Sequence, residues 1–209
     1  MNGATLTLVT PPPVYPVTDA EVWDHLRVNL IGSPAVPVDQ SHIATLIAAA
    51  VNHMDGKDGA LGRALVTQTW DYKMDCLPRD GFKVPLPPVQ SVTFIKYIDL
   101  NGIEQTLSSD LYTVDTSSEP ARIVPAYGET WPDARNQVNA VTVRLVCGYP
   151  PEGSPADYRA NVPGPIKSAI KLLVDDLYQH RGTAGPRAPI KTIPLNVSAL
   201  IAPYRAWGV

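Results

Sequence analysis

Features that identify a secreted, membrane-spanning or disulfide-built protein are scarce in this chain of 209 residues. Two cysteines are too few for a disulfide framework. No apolar run approaches the ~20 residues needed to cross a bilayer, and no basic segment followed by an apolar one stands at the amino terminus. We therefore expect a protein without a membrane segment that is made and kept in a cytosol.

Catalytic and metal-binding motifs are missing as well. Gly56-Lys57 lacks the upstream glycine and the following serine or threonine of a phosphate-binding loop, and there is no Gly-x-Ser-x-Gly motif. His42 and His53 fall on one predicted helix, but a separation of eleven residues corresponds to ~16 Å of rise, too far to share an ion. The sequence therefore predicts that the protein is not an enzyme, and it indicates no catalytic residue, cofactor or metal site.

Charge and composition favour a folded, loop-rich protein. The formal net charge is −3, and the cations form no basic stripe of the kind that a general nucleic-acid-binding protein presents. Hydrophobic residues make up 44% of the chain, enough for a sizeable core. Most of the 22 prolines lie between the periodic segments, which is typical of a strand-rich fold and not of a helical bundle.

Periodic apolar residues predict helices at both ends of the chain. Thr18 and Glu21 form a capping box that begins a short helix, and Asp39 is a suitable N-cap for a second one. A long amphipathic helix spans residues 163–181, and its apolar stripe consists of Ile166, Ala169, Ile170, Leu173 and Leu177. Two interpretations of this stripe are open. Either it packs on the subunit's own core, or part of it, with Ile170 and Leu173 as candidates, lines a contact between subunits.

The middle of the chain changes to a period of two residues. Alternation begins near Trp70 and recurs in about six segments that end at Cys147. Short strands with turn residues between them predict an antiparallel sandwich or a small barrel. The expected fold class is therefore α+β, with a helical layer built from the N- and C-terminal helices and the β-structure inserted into it.

This pattern divides the chain into three expected segments. Residues 1–66 hold an N-terminal arm and helices, 67–150 form the inserted β-domain, and 151–209 hold the long helix, a loop and a C-terminal docking helix. We expect the first and third segments to pack as one helical domain. Cys76 and Cys147 each end an alternating segment and are interpreted as buried free thiols. A bridge between them requires neighbouring strands, and a cytosol disfavours it.

Three segments have the composition of binding elements. Residues 1–16 are apolar and proline-rich, 182–194 carry Arg187 and Lys191, and 196–207 combine apolar residues at helical spacing with aromatic residues. Aromatic side chains and arginine are favoured as interface anchors, and we take Arg187 and Lys191 as candidates for a contact between subunits. The alternative for each segment is that it folds back onto its own subunit.

Several blocks follow one another with a characteristic order and spacing. The most distinctive is residues 62–70 (GRALVTQTW), and the others are residues 8–12, 16–21, 25–28, 46–50, 86–92, 97–102, 131–132, 143–149, 162–181 and 194–205. Together they resemble the head–tail connector, or adaptor, proteins of tailed bacteriophages and of phage-like gene transfer agents. Residues 55–61 and the loop at 148–162 depart from the family pattern.

The resemblance implies a structural protein of the virion neck, assembled in the cytoplasm of a bacterial host. In that family, a ring of generally twelve subunits lies beneath the portal protein, extends the DNA channel and presents the surface for a stopper or tail-terminator protein. DNA would pass through without sequence-specific binding, and no membrane is involved. The family's C-terminal segment typically engages the portal, which carries over here to Leu200, Tyr204, Arg205 and Trp207.

Two other functional classes stay open on the sequence. The β-structure could be a tail-associated sandwich that binds a host surface or a glycan, which exposed aromatic residues clustered on the sandwich would favour. A hydrolase would need a cleft in which catalytic residues converge, and the sequence shows no such set.

Overall fold

The computed structural model describes residues 4–180 and 195–206, and the architecture is α+β, as expected from the sequence. The helices are α1 (Asp19–Leu26), α2 (Gln40–Met54), α3 (Gly164–Gln179) and α4 (Leu195–Ile201), with short 3₁₀ helices at Ser109–Leu111 and Ala202–Tyr204. The strands are β1 (Ala4–Thr10), β2 (Leu30–Ile31), β3 (Val36–Pro37), β4 (Gln68–Met74), β5 (Phe82–Val84), β6 (Val89–Ile98), β7 (Glu104–Thr106), β8 (Tyr112–Asp115), β9 (Ala121–Pro125) and β10 (Val141–Cys147).

Two antiparallel sheets, not a closed barrel, form the β-structure. The larger sheet has the strand order β1-β4-β10-β6-β7, and the smaller one has the order β5-β9-β8. Burial alternates along all of β10, as the period of two predicts, so that Val141, Val143 and Leu145 enter the core. Those residues share one hydrophobic cluster with Val84 and Ile123 of the smaller sheet, which is the packing of a sandwich.

The N-terminal arm adds a strand to the larger sheet. β1 pairs antiparallel with β4, from Ala4 opposite Met74 to Thr10 opposite Thr69. This pairing supplies a partner within the subunit for a segment that the sequence suggested as a binding element. Leu8 nevertheless stays largely exposed, because β1 is an edge strand that covers little of the core.

The helices enclose a second hydrophobic cluster. α3 contributes the stripe predicted from its periodicity, with Ile166, Ala169, Ile170 and Leu173 all buried. α2 packs Ile43, Ile47, Ala50 and Met54 into the same cluster, and α4 adds Val197 and Ile201. Helices from both ends of the chain therefore share one core, which lies beside the cluster between the sheets.

The helix starts predicted from the sequence are confirmed in position. Thr18 and Glu21 make both bonds of the capping box, since Glu21 N–H donates to Thr18 Oγ1 at 3.1 Å and Thr18 N–H donates to Glu21 Oε2 at 2.7 Å. Asp39 occupies the N-cap position of α2, but its side chain makes no cap bond. It accepts instead a hydrogen bond of 2.7 Å from the hydroxyl of Tyr178, which joins the start of α2 to the end of α3.

The two cysteines lie at opposite ends of neighbouring strands. β4 and β10 pair antiparallel with Cys147 opposite Gln68, which is eight residues before Cys76. At ~3.3 Å per residue the separation is about 26 Å, far beyond the reach of a disulfide. Both cysteines are free, and burial raises the pKa of Cys147 to about 12, so this thiol is inert at neutral pH.

Candidate functional site

The titratable side chains of the described ranges do not form a metal-binding cluster. Within residues 4–180 and 195–206, no group of three or more His, Cys, Asp or Glu side chains is placed to hold a metal ion. His42 lies against the ring of Tyr178 at a centroid distance of 6.4 Å, and His180 Nδ1 lies 3.3 Å from Asp176 Oδ1 on the same helix. None of the helices in these ranges is both long and apolar enough to cross a bilayer.

The C-terminal segment is docked on its own subunit. Val197 and Ile201 of α4 are fully buried against the helical cluster, and the backbone N–H of Ala206 donates to the carbonyl of Leu61 at 2.9 Å. Gly62 follows directly and takes a left-handed backbone conformation with φ of +61°. A side chain there would come to 3.6 Å from Ala206 Cβ, so this glycine borders the path of the segment.

The portal-contact candidates of the sequence lie along this docked segment. Leu200, Tyr204 and Arg205 are half-buried, and Leu200 and Tyr204 pack against the helical cluster. The Nε atom of Arg205 is buried without a hydrogen-bond partner in the described part of the chain. Trp207 lies outside the described residues.

The inter-subunit candidates divide into two groups. Ile170 and Leu173 face the core of their own subunit, which fits the first of the two interpretations of the α3 stripe. Arg187 and Lys191 lie outside the described residues.

The distinctive block at residues 62–70 forms the junction between the helical cluster and the sheets. Arg63 is only 5% exposed, and its guanidinium donates to the hydroxyl of Tyr149 at 2.7 Å and to Glu119 Oε2 at 2.8 Å. Burial raises the pKa of Tyr149, while the charge of Arg63 and its hydrogen bond act in the opposite direction. Arg63 therefore connects the end of the helical part to the β8–β9 connection and to the segment that follows β10.

A second polar network begins at the end of α2. Asp55 accepts hydrogen bonds from the backbone N–H of Leu65 at 2.8 Å and from the side-chain amide of Gln68 at 3.2 Å. Gln68 in turn accepts from the indole N–H of Trp70 at 3.0 Å. Burial raises the pKa of Asp55, although these hydrogen bonds lower it in part. The network fixes the path of the chain from α2 into β4.

Replacing Asp55 with Asn is expected to lower the free energy of unfolding by about 1–3 kcal/mol. The Gln68 carbonyl oxygen already accepts from Trp70, so the Gln68 amide must point at position 55 and would meet the new amide donor there. A carboxyl with a raised pKa binds its proton more tightly in the folded state, so the stability of the unsubstituted protein falls as pH rises from about 3.8 through the folded value.

Urea unfolding of both proteins at a series of pH values checks this result. Asn does not titrate, so the stability difference between the two proteins should shrink as pH rises through that interval. A difference that grows with pH would contradict a raised pKa for Asp55.

An open groove of about 880 Å³ runs between the N-terminal segment and the end of α2. Its walls include Leu8, the prolines at 11–13, Tyr15, Asn52 and Trp70. No pattern in the sequence indicates this groove, because it forms only where the chain after β1 passes the C-terminal half of α2.

The β2–β3 hairpin is a second surface that the sequence did not indicate as a site. It pairs Leu30 with Pro37 and Ile31 with Val36, and it stands apart from both larger sheets. One feature of the sequence could have indicated this surface, since no charged residue occurs between positions 28 and 38.

Comparison with known proteins gives structural relatives only. No protein-family model and no curated protein matches the sequence. A chain from the neck of an empty gene transfer agent particle, computed with C6 symmetry, superposes with a TM-score of 0.74 at 21% identity, over 98% of this chain and 97% of that one.

Two further solved structures agree. A chain of the native gene transfer agent virion gives a TM-score of 0.69 at 22% identity, over 98% of this chain and 96% of that one. A chain from the native neck, computed with C12 symmetry, gives a TM-score of 0.64 at 21% identity, over 98% of this chain and 97% of that one. The fold described above is therefore shared with these chains over nearly their whole length.

Proposed function

We propose that this chain is a structural head–tail adaptor of a phage or phage-like particle. Subunits form a ring beneath the portal, extend the DNA channel and carry a stopper or tail-terminator protein. The observation that supports this most strongly is the similarity over 96–98% of both chains to proteins of gene transfer agent necks and virions. That similarity includes the helical layer, the inserted sheets and the C-terminal segment.

A ring of twelve subunits is consistent with the symmetry of those assemblies. One related neck was computed with C12 symmetry and another with C6 symmetry. A twelve-membered ring contains six-fold symmetry as well, so a single subunit number fits both. Cyclic rings use head-to-tail contacts, in which two different surfaces of each subunit meet.

The proposed role is passive with respect to DNA. The chain has a formal net charge of −3. A strongly basic channel would hold the phosphate backbone by counterion release and slow its passage, whereas a weakly acidic subunit would not. We assign no catalytic step to the protein.

The proposed portal contact uses the C-terminal segment. α4 is seated by Val197 and Ile201, which leaves Leu200, Tyr204 and Arg205 partly accessible beside the Leu61–Gly62 turn. Tyrosine and arginine are the side chains that most often carry binding energy in interfaces. We propose that these residues and Trp207 contact the portal, and that the helices within residues 1–66 and 151–209 act together as the helical unit of the ring, whereas β1 belongs to the larger sheet.

The alternative of a glycan-binding sandwich has less support. In the described part of the two sheets and their loops, Tyr127 is the aromatic residue that is largely exposed. Phe82 and Trp131 pack against each other at 6.2 Å, and Phe94 is covered by the guanidinium of Arg144 at 4.7 Å. A single tyrosine does not provide the platform of stacked rings that such a site needs.

Particles assembled without this protein test the proposal. We expect electron micrographs of the lysate to show DNA-filled heads and complete tails that are not joined, and we expect added purified protein to restore joining. A second addition, of protein that ends after Pro194, should fail to restore it if the C-terminal segment makes the portal contact. Normally joined particles in the absence of the protein would refute the adaptor role.

A further inference from the structure

The β2–β3 hairpin and the residue that follows it expose three apolar side chains. Leu30 is 49% exposed, Ile31 is 55% exposed and Val38 at its base is 81% exposed. They lie within an eleven-residue stretch, positions 28–38, that has no charged residue. Contiguous exposed apolar surface on a folded protein marks a site of interaction with another protein.

The groove beside the N-terminal segment is suited to an occupant without charge. Lys57 Nζ lies 3.1 Å from Asp58 Oδ2, and Arg159 Nε donates to a backbone carbonyl at 2.8 Å. The carboxylate of Asp55 accepts from backbone and amide donors, and Asp19 lies in the first turn of α1, where the helix dipole stabilises it. An uncharged hairpin leaves all of these interactions in place.

The hairpin and the part of the groove beside Asn52 lie at opposite ends of α2. Val38 comes directly before the N-cap of this helix, whereas Asn52 and Asp55 lie at its C-terminal end. The fifteen residues of α2 correspond to about 22 Å, and the hairpin tip at Pro34 is only four residues, or about 13 Å, from Val38. A subunit therefore cannot place its own hairpin beside Asn52.

We propose that the β2–β3 hairpin of one subunit occupies the groove of the next subunit around the ring. The contact joins one surface of a subunit to a different surface of its neighbour, which is the head-to-tail arrangement that closes a ring. Ile31 enters the groove beside Tyr15 and the prolines at 11–13, while Leu30 points to the opposite face of the strand and lies beside α1 of its own subunit. This inference rests on the proposed function for the ring, and it names the surfaces that hold the ring together.

The cationic segment at residues 181–194 is a weaker candidate for the groove. It carries Arg181, Arg187 and Lys191 and no acidic residue. A charge that leaves water needs a partner, and two of the three carboxylates of the groove, Asp55 and Asp58, already have partners within the subunit. The experiment below distinguishes the two occupants.

Disulfide trapping in assembled particles tests the contact. The full chain with Cys76→Ser, Ile31→Cys and Asn52→Cys is added to particles that lack the protein, and the necks are oxidised and examined by non-reducing electrophoresis. Cys147 is buried and does not interfere. We expect a ladder of covalent oligomers that needs both new cysteines. The matched control pairs Val138→Cys, at an exposed position three residues before β10, with Asn52→Cys and should give monomers.

The outcomes separate the contact from the adaptor role. If the protein is incorporated into necks but cysteines at positions 31 and 52 give no ladder, the proposed contact is wrong and the adaptor role stands. The same conclusion follows if a ladder forms with Arg187→Cys in place of Ile31→Cys. Protein found outside the neck overturns both the contact and the adaptor role.

A second pair of variants measures the effect on assembly. Ile31→Asp should reduce head–tail joining by at least about tenfold, because a carboxylate cannot enter the groove without losing hydration. Val138→Asp, at a similarly exposed apolar position, should join heads and tails normally. Both proteins should unfold at the same temperature as the unsubstituted one, since both side chains are exposed. Equal joining by the two variants would contradict the proposed contact.

Discussion

Replacing Gly148 with Ala is expected to lower the free energy of unfolding by about 3 kcal/mol or more. Gly148 follows β10 and has φ of +105°, a region that a side chain rarely adopts. A Cβ atom there would lie 2.3 Å from the carbonyl oxygen of Val66 and 2.8 Å from the nitrogen of Thr67. These are backbone atoms at the junction of the two clusters, so they cannot rotate away as a side chain could.

Two other glycines provide controls for the effect of position 148. Gly128 also has positive φ, at +84°, but a Cβ atom would meet nothing within 4 Å, so Gly128→Ala isolates the backbone strain of about 1–2 kcal/mol. Gly164 at the start of α3 has open space and no positive φ, so Gly164→Ala should be neutral or stabilising by about 0.4–1 kcal/mol. Urea unfolding measures the change in the free energy of unfolding for each of the three substitutions. A cost at Gly148 no greater than at Gly128 would contradict the close approach to Val66.

Replacing Ile201 with Asp is expected to release the C-terminal segment from the subunit. Ile201 is 0% exposed, and a carboxylate in this apolar cluster costs about 4 kcal/mol or more, so detachment of α4 becomes the favourable response. Hydrogen exchange should then show loss of amide protection over residues 195–206, while β4 and β10 stay protected.

Leu195→Asp is the matched control in the same helix. Leu195 is 87% exposed and stands at the first position of α4, so a carboxylate there should change stability by no more than about 0.5 kcal/mol. If both substitutions leave the amides at 195–206 protected, α4 is not held by Ile201. If the proposed portal contact is correct, Ile201→Asp should also impair head–tail joining more strongly than Leu195→Asp.

Local patterns in the sequence predicted the elements that depend on near neighbours. The stripe of α3, the Thr18–Glu21 capping box and the alternation of β10 each follow from spacing alone, because side-chain direction repeats every 3.6 or every 2 residues. Strands β2, β3 and β5 were not predicted, because two or three residues are too few to show a period.

Long-range contacts account for what the sequence could not predict. Arg63 meets Glu119 and Tyr149, which are 56 and 86 residues away, and nothing in the local pattern specifies either partner. The register that separates the two cysteines and the pairing of β1 with β4 likewise exist only in the folded chain. The groove and the hairpin were missed as sites for the same reason, since a surface is defined by elements that meet from distant positions.

A reconstruction of the particle neck, at a resolution that traces strands, tests the adaptor assignment most directly. We predict twelve copies of this fold in a closed ring directly beneath the portal, with the C-terminal segments facing the portal and each β2–β3 hairpin against its neighbour. A ring beneath the portal built from a different chain, with this fold located at the distal end of the tail or outside the particle, would contradict it.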